Sequence, residues 1–160
     1  MSLLPSFQWI EATAIAKSIN ASLYSFAYIE AVHLLALAVL GGSTLMVDLR
    51  LLGIAMIDQP VTKLYRITRP WFRWSLVTIL LTGILLFASL AATKYYYHFY
   101  FWVKMYFLAT AILFTFIVKN RMVSGNDAIA NTSTGKLIGL VSIFLWAGVG
   151  FAGKAIGYIS

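Results

Sequence analysis

Between Leu23 and Val47 the sequence runs on apolar residues, broken by only two ionisable side chains, Glu30 and His33. A run of that length crosses a hydrocarbon layer about 30 Å thick as a single helix. Glu30 and His33 stand three apart and share one helix face. In steps of three and four that face continues through Leu37, Gly41, Thr44 and Asp48, while the other sides are Leu, Val, Ala and Met. An acidic group inside a bilayer costs several kcal/mol, whereas each Leu returns only about 0.3–0.6 kcal/mol. The polar face therefore needs partners from elsewhere in the chain.

Those partners are sought in a chain that is apolar throughout. Charged residues are 11% of the 160, against about 25% in water-soluble proteins, and mean hydropathy is +0.87. The reading is an all-α integral membrane four-helix bundle, one domain over residues 1–160. Its spans are expected at about 23–47, 74–93, 98–118 and 137–158. The second is flanked by Trp71, Arg73 and Trp74, with Ser75, Thr78, Thr82, Ser89 and Thr93 close to one face, as where helices approach closely. The third is preceded by Tyr95 to Trp102, eight rings in a row, an expected belt at the headgroup level. The fourth carries small residues at Gly139, Ser142, Gly150, Gly153 and Gly157. Ahead of the first span, Leu3, Phe7, Ile10 and Ala14 form an apolar stripe within residues 1–20, expected to lie as an interfacial amphipathic helix along the membrane. No basic segment opens the chain, so no cleaved signal peptide is expected. The sequence has no cysteine, which excludes disulfides and thiolate ligands.

Net charge is +7, and most basic residues gather in two places. Arg50, Lys63, Arg66, Arg69 and Arg73 follow the first span; Lys119, Arg121 and Lys136 bound a polar loop after the third. The other side holds Lys17 and Lys94. This asymmetry orients a membrane protein, with both loops cytoplasmic and both termini outside, and leaves nucleic acid no role as a partner. Asp48 and Arg50 are expected to close the first span through a local salt bridge or as a helix-end anchor.

Depth brings the intramembrane ionisable groups together. At 1.5 Å per residue, Glu30 and Lys104 lie roughly seven residues below the outer ends of spans one and three, His33 one turn deeper, and Lys154 about six residues from the end of span four. These groups converge on the outer third of the bundle. They read either as a structural network, with Lys104 paired to Glu30, or as a site in which His33 offers a neutral imidazole to a metal or haem iron. His98 lies nearer the outer surface, in the aromatic belt.

The segment Tyr28-Ile29-Glu30-Ala31-Val32-His33-Leu34-Leu35, followed by Gly41-Gly42 and Asp48-Leu49-Arg50-Leu51-Leu52-Gly53, resembles a family of small uncharacterised bacterial four-span membrane proteins. More distantly, the layout is similar to the copper-resistance D proteins and to the haem-binding protoporphyrinogen oxidase of the bacterial inner membrane. That likeness rests on a histidine at a place like His33 and a lysine at a place like Lys104. It implies a b-type haem and an electron-transfer or oxidase role, beside a redox protein or quinone. With the shared depth of the ionisable groups, the reading makes His33 an axial ligand, sets Lys104 and Lys154 on the propionates, and has Glu30 tune His33 or pair with a lysine; His98 becomes a second ligand only if span three starts deeper. The oxidase's W-x-x-G-L-x-Y-x-x-R pattern is absent, so the resemblance extends to the haem rather than to the porphyrinogen substrate. Two other readings stand beside it: a proton or copper carrier working through Glu30 and His33, and a scaffold that forms homo-oligomers through the Gly153-x-x-x-Gly157 face. The expected location is the bacterial inner membrane.

Overall fold

A computed structural model describes residues 4–90 and 94–158. Its helices are α1 (Leu4–Glu11), α2 (Ala14–Asn20), α3 (Leu23–Leu52), α4 (Val61–Ser89), α5 (Phe99–Leu113), α6 (Asn120–Val123) and α7 (Ser133–Tyr158). A π-helical turn, Phe114–Lys119, joins α5 to α6 without a break, and a 3₁₀ turn, Asp127–Asn131, leads into α7. Four stretches are long and apolar enough to cross a membrane: Tyr24–Leu52, Val61–Ser89, Phe99–Val123 and Ser133–Gly157. The chain is an all-helical bundle of the multi-pass membrane type.

Local chemistry sets the helix ends. Ser22 accepts the Ser25 N–H at the start of α3, and Gly53, at φ +73°, ends it in the left-handed conformation that a residue without Cβ adopts freely. At 1.5 Å per residue α3 is about 45 Å long, so it projects beyond the hydrocarbon at both ends. The helices outrun the apolar stretches for that reason. Lys63, Arg66 and Arg69, expected in a loop, and Arg73, expected at the flank of the second span, belong to the first four turns of α4. Lys119, expected to open the long loop, is still helical and buried. The end of the expected span 74–93 falls on residues 91–93, outside the described residues.

α3 packs against α4 and α7, and α7 packs against α5. The backbones of α4 and α5 stay apart, bridged by aromatic pairs: Phe87 on Phe101 with centroids 5.4 Å apart, and Phe72 on Phe116 at 6.2 Å. Three apolar layers fill the interior. The middle one holds Leu40, Leu76, Ile79, Ala111, Leu145 and Val149; the basic end holds Val47, Leu51, Val61, Val123 and Ile138; the aromatic end holds Phe7, Phe101 and Ile156. Leu35, Leu81, Ile84, Phe144 and Phe151 point outward, which only a lipid surround makes economical.

Residues 4–20 form two short helices rather than one, and they cap the bundle; Leu3 of the expected stripe lies outside the described residues. Phe7 is buried edge-on against Phe87 and Tyr96, each 5.2 Å away, and Asn20 Nδ2 donates to the Ser89 carbonyl at 2.7 Å. Half of the aromatic run turns inward with them: Tyr95 stacks on Phe87 and Phe101, while Tyr97 and Phe99 face outward as a belt does. The small-residue face of α7 is used within the chain. A Cβ on Gly139 would stand 3.0 Å from the Asp48 carbonyl oxygen, and one on Gly148 2.5 Å from the Phe107 ring. Such close approach is how helices gain contact in lipid, where burial of apolar surface gives no drive.

At the basic end the 3₁₀ turn is tied to α4. Asp127 Oδ1 accepts from the Thr62 backbone N–H at 2.9 Å and from its hydroxyl at 2.8 Å, capping the first turn. These two bonds, with the Arg50 charge behind them, hold the Asp127 carboxyl below the ordinary 3.8. A carboxyl lowered on folding stabilises fully above its unfolded value and ceases to do so as pH falls through the folded one. The melting temperature of the wild type should therefore exceed that of Asp127→Asn by a constant margin from pH 7 to about 4 and lose that margin below. A margin unchanged down to pH 2.5 would mean that the carboxylate is not the capping group.

Candidate functional site

Polar side chains gather inside the bundle at two levels. The deeper-buried group lies toward the basic end. Asp48, with no exposed surface, pairs with Lys119 at 2.7 Å between Nζ and Oδ1. Ser142 donates to Asp48 Oδ2 at 2.7 Å and accepts from Lys119 Nζ at 3.1 Å. Acid, base and hydroxyl come from α3, the π-helical turn and α7, so three spans meet on one knot. The expectation that Asp48 pairs locally with Arg50 does not hold. Asp48 lies on the inner face of α3 with Val47 and Leu51, while Arg50 Nε donates to the Gln59 carbonyl at 2.7 Å beyond the helix end.

The wide turn at Phe114–Lys119 makes this possible. A π turn carries one more residue than an α turn and re-aims the side chains beyond it. Here Thr115 and Lys119 both point inward, and Thr115 Oγ1 accepts from Trp146 Nε1 at 3.3 Å. Lys119 and Ser142 are partners that sequence reasoning misses. Lys119 is followed by Asn120, Arg121 and a polar stretch, which marks a loop, and Ser142 reads only as a small residue. The available signal is register: Lys119 repeats at four from Ala111 and Thr115, as Asp48 does from Thr44.

The second level lies toward the aromatic end and contains His33 and Lys104, two of the residues expected to form a site. His33 is 8% exposed, and its Nδ1 stands 2.8 Å from Thr82 Oγ1 on α4. Thr82 has one hydroxyl proton, and its oxygen lies 2.6 Å from the Thr78 carbonyl, which can only accept. In the tautomer that gives this proton to Thr78, Thr82 receives a hydrogen from His33 Nδ1 and Nε2 keeps the lone pair. Gly83 leaves room at the ring's edge: a Cβ there would meet Cε1 at 3.5 Å. The Lys104 ammonium lies within electrostatic reach of the imidazole, with its stem over Gly153 of α7.

The other expected members are not gathered at this point. Glu30 is exposed on the outside of α3, and among the described residues it forms no ion pair with Lys104. Its charge acts instead on Tyr95, whose hydroxyl is pushed up first by burial and then by that charge. Lys154 is exposed on α7. His98 is half-buried as the N-cap of α5, about 9 Å along the helix axis from Lys104, and packs beside Tyr100. Among the described residues no three His, Asp or Glu side chains gather as a metal-binding cluster. The Gly153 face expected to bind a second copy is covered by Lys104 within the chain, whereas Gly157 looks onto open space.

A family model matches residues 6–159, almost the whole chain. The chain belongs to DUF6644, a family of unknown function. No curated protein and no solved structure matches it. In this DUF6644 chain, then, role has to be argued from the two polar levels themselves.

The Asp48–Lys119 pair carries a direct prediction. Removing one partner leaves the other charge stranded in lipid, which costs about 3–5 kcal/mol, while removing both is far milder. Lys119→Met should lower the stability of the detergent-solubilised protein by that amount, and Asp48→Asn combined with Lys119→Met should regain more than half of it. Additive losses in the double variant, read from unfolding curves, would show that the two charges do not depend on each other.

Proposed function

We propose that this chain is a b-type haem protein of the membrane that passes single electrons, with His33 as the iron ligand. The observation that carries the reading is the 2.8 Å contact between His33 Nδ1 and Thr82 Oγ1. With Nδ1 as the donor it would leave Nε2 its lone pair, on a ring held in orientation by its other nitrogen, as iron-ligating histidines are. One further feature fits the group: Lys104 supplies a positive charge for a propionate close to the imidazole.

Haem bound at Nε2 would supply reversible one-electron chemistry. The residues of this chain orient the ligand through Thr82, balance the propionate charge through Lys104, and exclude water with Phe87, Phe101 and Tyr95 above. The donor set offers one axial histidine, since His98 stands apart from Lys104 along α5. A redox protein or quinone would exchange electrons at the aromatic end. By the distribution of basic residues that end faces outward from the cytoplasm, in a bacterial inner membrane.

The carrier alternative draws less support. Below His33 the inner face of α3 passes Ala36 and Leu40 into the closed middle layer, with no polar side chain before Ser43 and Thr44. A copper path would need more ligands than His33 alone at this level.

Protein purified in detergent should show Soret and α bands in reduced-minus-oxidised spectra and yield extractable haem in near-equal amount. His33→Ala should remove both, and Thr82→Val should weaken haem retention roughly ten- to hundredfold while leaving the fold intact. Preparations reconstituted with haem that show no such bands, or His33→Ala protein that keeps them, would end this reading.

A further inference from the structure

At the basic end, beside the Asp48–Lys119 knot, a cleft opens between α3, α4 and the wide turn of α5. Arg69 and Arg73 stand at its mouth, Phe72 and Phe116 line it, and Thr44 forms its floor. The room within the cleft is about 20 Å³, enough for one water-sized group, so a larger group stays at the mouth.

Thr44 points to a ligand. It is 5% exposed, and its hydroxyl has no hydrogen-bond partner among the described residues. Helical threonines ordinarily return that hydroxyl to the carbonyl one turn back, as Thr68, Thr78 and Thr110 do here. In a lipid surround an unmet buried donor is costly, so a group that reaches the floor of the cleft gains by satisfying it.

The mouth names the charge of that group. Arg69 and Arg73 lie one turn apart on α4, and among the described residues neither forms an ion pair. Trp71 and Trp74, 63% and 74% exposed on the same helix, mark the level of lipid headgroups. Two guanidinium forks at that level match a phosphodiester. A wider cleft of about 410 Å³ shares Arg69 and adds Lys63 and Arg66, extending the positive surface toward the polar side.

We propose that this cleft binds an anionic glycerophospholipid, its phosphate held by Arg69 and Arg73 and a headgroup hydroxyl reaching Thr44. Its acyl chains lie along the side where α4 and α5 stand apart. Three headgroups separate the contributions. Phosphatidylglycerol brings both the net negative charge and the hydroxylated arm, phosphatidic acid brings the charge alone, and phosphatidylcholine brings neither a net charge nor a hydroxyl.

The test is native mass spectrometry of the detergent-solubilised protein titrated with each lipid, and with sn-glycerol 3-phosphate as a free headgroup. Retention should fall in the order phosphatidylglycerol, phosphatidic acid, phosphatidylcholine. Arg69→Gln with Arg73→Gln should reduce phosphatidylglycerol retention roughly thirtyfold, the combined effect of two cations at a membrane surface. The near-isosteric Thr44→Val should erase the advantage of phosphatidylglycerol over phosphatidic acid and leave the latter unchanged, with melting curves checking that each variant is folded. Equal retention of all three lipids, indifference of folded variants, or equally tight binding of free glycerol 3-phosphate would overturn the assignment.

Discussion

A charge that has left water must meet its opposite, and in this bundle that requirement is concentrated at Asp48. Its carboxylate is fully enclosed, and both oxygens are engaged, one by Lys119 and the other by Ser142. Lipid offers no hydrophobic drive for helices to associate, so polar contacts and close packing decide which faces meet. The knot fixes the rotation and the height of α3, α5 and α7 together. Around it the glycines allow the backbones in: Gly139 brings α7 onto the Asp48 carbonyl itself. α4 is held separately, through the shared face with α3 and through Asn20 and Asp127, which tie its two ends to neighbouring segments.

The two polar levels differ in what they leave available. At the basic end the acid, base and hydroxyl satisfy one another, and the knot is closed. Toward the aromatic end, His33 meets Thr82 through Nδ1, beside a lysine with no carboxylate opposite it among the described residues. A closed network holds a structure together; an imidazole outside one is suited to chemistry. Between them lies the apolar middle layer, from Leu40 to Val149. This division of labour is why the functional reading rests on His33 rather than on the more conspicuous ion pair.

The sequence made the helices legible, because apolar runs of membrane length have few other uses. It also exposed the polar face of the first span, since Glu30, His33, Thr44 and Asp48 repeat at helical spacing. What it could not show was direction. His33 and Glu30 are only three apart, yet one turns into the bundle and the other away, because the α4 contact falls on the His33 side. Shared depth brought Lys104 to His33 but could not place Lys154 or Glu30 around the bundle's circumference. Lys119 was hidden by the polar residues after it, which mark a loop, although its spacing of four from Ala111 and Thr115 keeps the inward register. Helix ends ran past the apolar stretches for a related reason: arginines and lysines at headgroup depth are still helical, though composition marks them as loop.

The knot also imposes an order on the making of the protein. Asp48 leaves the ribosome 71 residues before Lys119, an interval of roughly 4–14 s at ordinary rates of elongation. Ser142 emerges later still. During that wait the first hairpin holds Asp48 without the lysine that pairs with it in the finished bundle. Only with α7 in place is the Ser142 hydroxyl there to bridge acid and base.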